Sequence, residues 1–360
     1  MSHNLRESSS RKKRLRKVLL TTAFIALNVA VIAMTAVNEF GNAKNAAKLS
    51  EVKINFWMLV PAVLLFIAAT FFNIYKYVLM MRHSFAKNER PKYGKMWRIA
   101  WEVTMLGKYY DNVTPAAVGG QPFQIYCMRK HSGLPVGHAT ALPIVAMVAG
   151  QIGFLIIAIV SFVANSLMGG NVALMVTAWI GLIFYAFWPL MMVGVSLFPN
   201  ATMKVLNFGV NILAKMHIVK NREAALDKIE KELMEYMNSV KIISKTKFLL
   251  LRLTIVSVVY NALFYMIPFF VLSAFGGDVD FAKCFVTTLA VTSAVYFVPT
   301  PGNAGAAEGT FYVVFSALSD GYVFWAMMVW RFFSYYIYIL LGPLTYLGMR
   351  VRGRVDAKAQ

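Results

Sequence analysis

A chain of 360 residues that is 59% hydrophobic and only 14% charged departs from a soluble globular domain, which is about 45–50% apolar and about 25% charged. Its net charge of +20 is gathered into clusters that abut apolar runs, and no nucleic-acid-binding module is presented, so a nucleic-acid partner is excluded. Two cysteines, Cys127 and Cys284, cannot build a disulfide framework and read as small apolar packing residues.

The basic residues 1–17 open the chain and are followed by an apolar run at 18–37. That run is longer than the hydrophobic core of a signal peptide, about 7–15 residues, and reads as an uncleaved first spanning helix. Further runs at 56–81, 138–163, 172–198, 248–275 and 322–349 each reach the length of about 20 residues that a helix needs to cross a bilayer. The alternating segments of about 10 residues that mark a membrane β-barrel are absent. Lys and Arg concentrate at 11–17, 82–98, 204–247 and 350–354. Placing these clusters in the cytoplasm satisfies the positive-inside rule and puts both termini inside, with a basic tail at 350–360.

Two apolar stretches, 96–130 and 281–319, are too long for loops and are broken in the middle. The first break carries Thr114, Pro115, Gly119, Gly120 and Pro122; the second carries Pro299, Pro301, Gly302 and Gly305. Proline removes a backbone donor and glycine resists helix, so neither stretch continues as one helix. Non-helical backbone at membrane depth persists only where protein or a wet cavity surrounds it. The charge map returns each stretch to its starting side, so both read as re-entrant hairpins, the first from the cytoplasm and the second from outside. Each is flanked by two spans, in opposite orientations. The expected fold is therefore an all-α integral membrane protein of about six spanning helices with two re-entrant helical hairpins in an inverted repeat. Interrupted segments in corresponding positions of two halves point to a transporter site. A pair of proline-kinked helices without function is the plainer reading of the same residues.

Between the halves, about 200–247 is polar. Leu226, Ile229, Leu233, Met237, Val240 and Ile243 recur at helical spacing, the pattern of an amphipathic connector on the inner membrane surface.

Ionisable groups at membrane depth default to functional candidates. Arg331 lies in the middle of the last run, and Glu308 follows the second break. Glu308 suits a helix N-terminus and equally suits an ion pair with Arg331; an Arg left partly unmatched would anchor a phosphate. In the first hairpin Lys108, Asp111, Gln121 and Gln124 bracket the break, where the backbone N–H groups of Gly119 and Gly120 would meet an anion. Lys108 snorkelling to the inner surface accounts for that residue equally well. Gln151 reads as a partner for a neighbouring helix, and Glu102 stays open between the two roles. The five histidines show no metal-ligand spacing and no nucleophile signature stands out, so no metal, cofactor or catalytic residue is expected.

At GKYYDNVTPAAVGGQPFQIY (107–126), VPTPGNAGAAE (298–308) and Arg331, the sequence resembles the flippase-like membrane domain of lysylphosphatidylglycerol synthases and of related stand-alone membrane proteins. The resemblance extends over essentially the whole chain, with 18–349 as the membrane domain. The second motif reads PGNAG where many relatives carry a glycine pair, a mild departure because Asn tolerates the same turns. The resemblance implies a flippase in a bacterial-type plasma membrane that moves a phospholipid, anionic or aminoacylated, or a related amphiphile between leaflets. Aminoacyl transfer in that family belongs to a soluble domain that is not expected after residue 360, so an enzyme is not expected. The alternatives are a lysylphosphatidylglycerol synthase-related lipid-modifying transferase acting with a partner, and a non-transporting membrane scaffold.

Overall fold

The computed structural model describes residues 33–34, 37, 41, 51–85, 87–114, 119–134, 136–167, 172–215, 221–244, 247–296 and 298–358. The span expected at 18–37 lies almost wholly outside the described residues. From residue 51 onward the described residues form these α-helices in order: α1 (Leu59–Ser84), α2 (Tyr93–Val113), α3 (Gly120–His131), α4 (Val136–Leu167), α5 (Val172–Leu197), α6 (Pro199–Lys215), α7 (Arg222–Ser244), α8 (Lys247–Ala274), α9 (Phe281–Val295), α10 (Ala306–Ser316), α11 (Val323–Arg331) and α12 (Ile337–Lys358). A π-helical turn, Phe332–Tyr336, joins the last two. No strand occurs among the described residues.

Among the described residues four segments are long and apolar enough to cross a bilayer: Phe56–Ser84, His138–Leu167, Phe248–Ala274 and Val323–Arg352. The protein is a multi-pass helical membrane protein. Helix α5 occupies the run expected at 172–198. Leu64, Ile67 and Phe71 on α1, and Ile183, Phe187 and Leu190 on α5, stay exposed. Such stripes at three- and four-residue spacing are costly in water, whereas lipid tails are as apolar as the side chains themselves.

Helices α1 and α8 run antiparallel at the centre: the amide of Asn55, just before α1, donates to the carbonyl of Ala274 at the end of α8 (2.7 Å). Small residues bring α4 onto α8. A Cβ on Gly153 would lie 2.8 Å from the Ser257 Cβ, and Asn261 Nδ2 donates to the Gly150 carbonyl (3.1 Å). Close backbone approach and interhelical hydrogen bonds are the means of association where no hydrophobic force acts between helices. A second cluster, with Phe154, Phe162, Leu182 and Leu289 at its centre, joins α4, α5 and α9.

The stretches expected as hairpins are helix–break–helix units, α2/α3 and α9/α10, each with its two arms packed together. The polar connector expected at about 200–247 holds two helices among the described residues. The periodic positions 226–243 fall on α7, which packs against α4 and α8, and a separate helix α6 precedes it.

Candidate functional site

The second break is held by side chains close to it in sequence. Asn303 Nδ2 donates to the Val295 carbonyl at the end of α9 (2.7 Å), and Thr300 Oγ1 donates to the Ala304 carbonyl (2.9 Å). Gly302 (φ 57°) and Asn303 (φ 55°) are consecutive left-handed residues, a conformation that glycine and asparagine tolerate best. The chain then enters α10, whose first turn is capped by Glu308: Oε2 accepts the Gly305 amide (2.7 Å). The other carboxylate oxygen accepts Arg331 Nε (2.6 Å), and Arg331 Nη2 donates to the Gly302 carbonyl (3.3 Å). Trp330 and Tyr335 present ring faces 5.6 and 5.0 Å from the guanidinium. Both partners are buried, at 4% and 2% exposure. The expected pairing is present, and Arg331 is committed to Glu308 and to the tip.

The first break uses the same device with different atoms. Thr114 Oγ1 donates to the Tyr110 carbonyl (2.6 Å) and accepts the Gly119 amide (2.8 Å). Asp111 Oδ1 accepts the Gly120 amide (3.0 Å). The two N–H groups expected to meet an anion are therefore already occupied. Short polar side chains beside a helix end compete for such groups. Pro115 lies outside the described residues, while Pro299 precedes the second tip and Pro301 opens its 3-10 turn. Gln124 sits between the arms against Gly107, leaving no room for a Cβ there. The Oε1 atoms of Gln121 and Gln124 have no hydrogen-bond partner among the described residues.

The two tips meet. Asn112 Nδ2 donates to the Tyr335 carbonyl in the π-helical turn (3.3 Å), and the Tyr335 ring lies against Gly302. Glu102, left open by the sequence, accepts Arg352 Nη2 (2.9 Å) and ties α2 to α12. Gln151 Nε2 donates to the Tyr296 hydroxyl (3.2 Å).

Behind the tips lies a charge cluster that the sequence reading missed in part. Lys108 is about 22 Å along α2 from Tyr93 at 1.5 Å per residue. It does not snorkel to the surface but lies within electrostatic range of Tyr260, Tyr265, Tyr338 and Asp111. Lys76 comes to the same place from α1. It is 5% exposed, its ammonium stands 5.9 Å from the Tyr260 ring centroid, and Lys108 is the charge that acts on it. No ion pair to a described residue balances it. Lys108, Asp111, Tyr185, Tyr260, Tyr265 and Tyr296 keep part of their surface open, although Lys108, Asp111, Tyr185 and Tyr265 are deeply enclosed by protein.

A separate pocket of about 620 Å³ opens between α2, α3 and α12, with Leu106, Phe123 and Met349 as apolar wall and Lys130 and Arg350 among its lining residues. Tyr110 and Tyr126 also line it. His131 borders it too; burial, then the charges of Lys130, Arg98, Arg352 and Lys95, hold its pKa below the usual histidine range.

Residues 17–342 match the model of a family described as lysylphosphatidylglycerol synthase TM region. The chain belongs to that family. No curated protein matches it. Both hairpins, the Glu308–Arg331 pair and the two lysines fall inside the stretch that defines the lysylphosphatidylglycerol synthase TM region, whereas Met349 and Arg350 of the pocket lie beyond it. The family places the protein among membrane proteins connected with phospholipids. Among the described residues no three His, Cys, Asp or Glu side chains gather as metal ligands do.

Proposed function

We propose that this protein is a lipid transporter, a flippase-type membrane domain that carries the head group of a phospholipid or related amphiphile between leaflets. The supporting observation is two broken helical units, brought together where the end of α2 reaches Gly302 and Tyr335, and a buried lysine, Lys76, inside a bundle whose outer faces are apolar. A polar passage enclosed in lipid-facing helices lets a head group leave water while the acyl chains stay in the bilayer.

In this reading α2/α3 and α9/α10 are re-entrant hairpins of an inverted repeat in a plasma membrane of bacterial type. The clusters at 82–98 and 350–354 face the cytoplasm by the positive-inside rule. The pocket lined by Lys130 and Arg350 then opens toward the anionic inner leaflet. Arg331 and Glu308 position the second tip, and Asp111 the first, while Lys76 and Lys108 face the cargo with the free oxygens of Gln121 and Gln124 nearby in the first hairpin. The chain's own part is non-catalytic: it binds, encloses and releases.

The test is leaflet exchange of fluorescent phospholipids in proteoliposomes, read by dithionite quenching. The protein should speed exchange well above protein-free vesicles, and Lys108→Met should abolish most of that acceleration. Correctly folded protein that accelerates no lipid across phosphatidylglycerol, phosphatidylethanolamine and lysylphosphatidylglycerol refutes the proposal.

A further inference from the structure

We infer that the pocket between α2, α3 and α12 is a binding site for a single-chain anionic amphiphile, a long-chain fatty carboxylate, and not for a two-chain phospholipid. The inference goes beyond the transport reading and does not depend on it, since it concerns a ligand that is held rather than moved.

The wall of the pocket is graded from one end to the other. Phe123 and His131, both in the lining, are eight residues apart on α3, about 12 Å at 1.5 Å per residue. The end beside the first break is aromatic, where Tyr110 of α2 and Phe123 of α3 stack with parallel rings. The arms of this hairpin run antiparallel, with Gln124 against Gly107, so Lys130 and His131 lie toward the start of α2. Helix α12 runs antiparallel to α2, with Gly342 against Tyr109 and Arg352 on Glu102. Arg350 therefore falls at the same end as Lys130 and His131. The pocket is apolar at its inner end and basic at its outer end, which is the polarity of an amphiphile.

Two cations and no carboxylate line the pocket among the described residues. Each cation is laid against a tyrosine. Lys130 Nζ donates to the Tyr126 hydroxyl (3.1 Å) and stands 5.5 Å from the centroid of that ring. The Arg350 guanidinium stands 5.4 Å from the Tyr346 ring centroid. Such contacts hold at the rim two long side chains that would otherwise extend into water. Glu102, one turn before Leu106 on α2, is committed to Arg352. His131 Nε2 is enclosed without a hydrogen-bond partner among the described residues. A guanidinium fork, an ammonium and an unused imidazole nitrogen suit a carboxylate head. Phe123, Tyr126 and Tyr346 stay exposed, an apolar surface that a hydrocarbon chain would cover.

Size decides between one chain and two. The volume of about 620 Å³ is that of a small-molecule site, about 300–1,000 Å³. At about 30 Å³ per water-sized group it takes about 20 non-hydrogen atoms, the count of a fatty acid of about 18 carbons, whereas a diacyl phospholipid carries about 50.

The experiment is photolabelling of the full-length protein in phosphatidylcholine nanodiscs by palmitate carrying a diazirine at the chain end, mapped by mass spectrometry. Label should concentrate in the stretches 106–123 and 346–349. Oleate should compete at a concentration about tenfold below oleyl alcohol, dioleoyl phosphatidylglycerol or 2-naphthoate. Joint substitution of the exposed Lys130→Gln and Arg350→Gln should cut labelling about tenfold, while Lys231→Gln, an exposed cation on α7, should leave it unchanged. The order of the competitors on the wild-type protein decides the matter even if the double variant fails to fold. Oleyl alcohol competing as well as oleate overturns the inference in favour of a greasy groove, and phosphatidylglycerol doing so overturns it in favour of a general lipid site. Equal competition by 2-naphthoate overturns it in favour of a flat soluble anion, and label spread along the lipid-facing helices leaves no site at all. None of these outcomes bears on leaflet exchange, so the two readings fail separately.

Discussion

Breaking the Glu308–Arg331 pair from either side should have unequal consequences. Glu308→Ala leaves a guanidinium at 4% exposure without its carboxylate, and a guanidinium cannot shed its charge. Removing one partner of a buried pair costs about 3–5 kcal/mol. The same substitution also removes the cap on the Gly305 amide, worth about 1 kcal/mol. Arg331→Met leaves a carboxylate that can take up a proton and keep its bond to Gly305, so the cost should fall to about 2–3 kcal/mol, at the lower end of the penalty for orphaned buried charges. The double variant should be more stable than the sum of the two by about 2–3 kcal/mol, because contacting residues couple. The assay is reversible unfolding in mixed micelles followed by circular dichroism, run as a double-mutant cycle. Costs that add to within about 0.5 kcal/mol would show that the two side chains do not depend on each other, and the account of the second tip would fall.

Gly302→Ala should destabilise by about 1–3 kcal/mol, since a left-handed φ of 57° and the Tyr335 ring both oppose a Cβ; thermal unfolding in detergent reads it, and an unchanged midpoint contradicts the tip geometry. Gly153→Val should cost about 1–3 kcal/mol by forcing α4 away from Ser257, measured by the same unfolding assay against Gly94→Val, a site with nothing within 4 Å. Lys76→Met should raise the melting temperature of the lipid-free protein, because it removes a buried charge without a partner; a drop would mean the ammonium is already balanced. His131 has a folded pKa held low by burial and basic neighbours, so the unfolded chain binds the proton more readily. Its contribution is present above the unfolded value of about 6.5 and is lost as pH falls through the folded pKa. His131→Gln should therefore flatten the acid side of the stability–pH curve.

The long apolar helices and both breaks were legible because length, apolar content, proline and glycine act locally. Glu308 and Arg331 were legible as ionisable residues in apolar stretches, and their pairing needed only that the second hairpin lie against the last span. Lys76 escaped notice for a physical reason. It sits six residues before Arg82, near the end of its run, where a lysine ordinarily bends toward the interface. Only the packing of α1 against α8, which sets its ammonium near Tyr260, turns it inward. The π-helical turn at Phe332–Tyr336 carries no glycine or proline to announce it. The anion site expected at Gly119 and Gly120 failed because Thr114 and Asp111, read as flanking residues, reach those amides first. The connector split into α6 and α7 because helical periodicity records each face but not where two helices part.

The charged groups of the bundle divide into two kinds. Glu308 with Arg331, and Glu102 with Arg352, bind each other and also fix backbone: the first pair holds the Gly302 carbonyl and the Gly305 amide, the second joins α2 to α12. Such pairs contribute little net stability against well-packed apolar residues, but they give each hairpin one geometry. Lys76 and Lys108 do the opposite. They fix no backbone and close no break, and each would be better solvated outside the protein. Among the described residues the carboxylates of Glu308 and Glu102 hold joints, while Lys76 has no ion-pair partner.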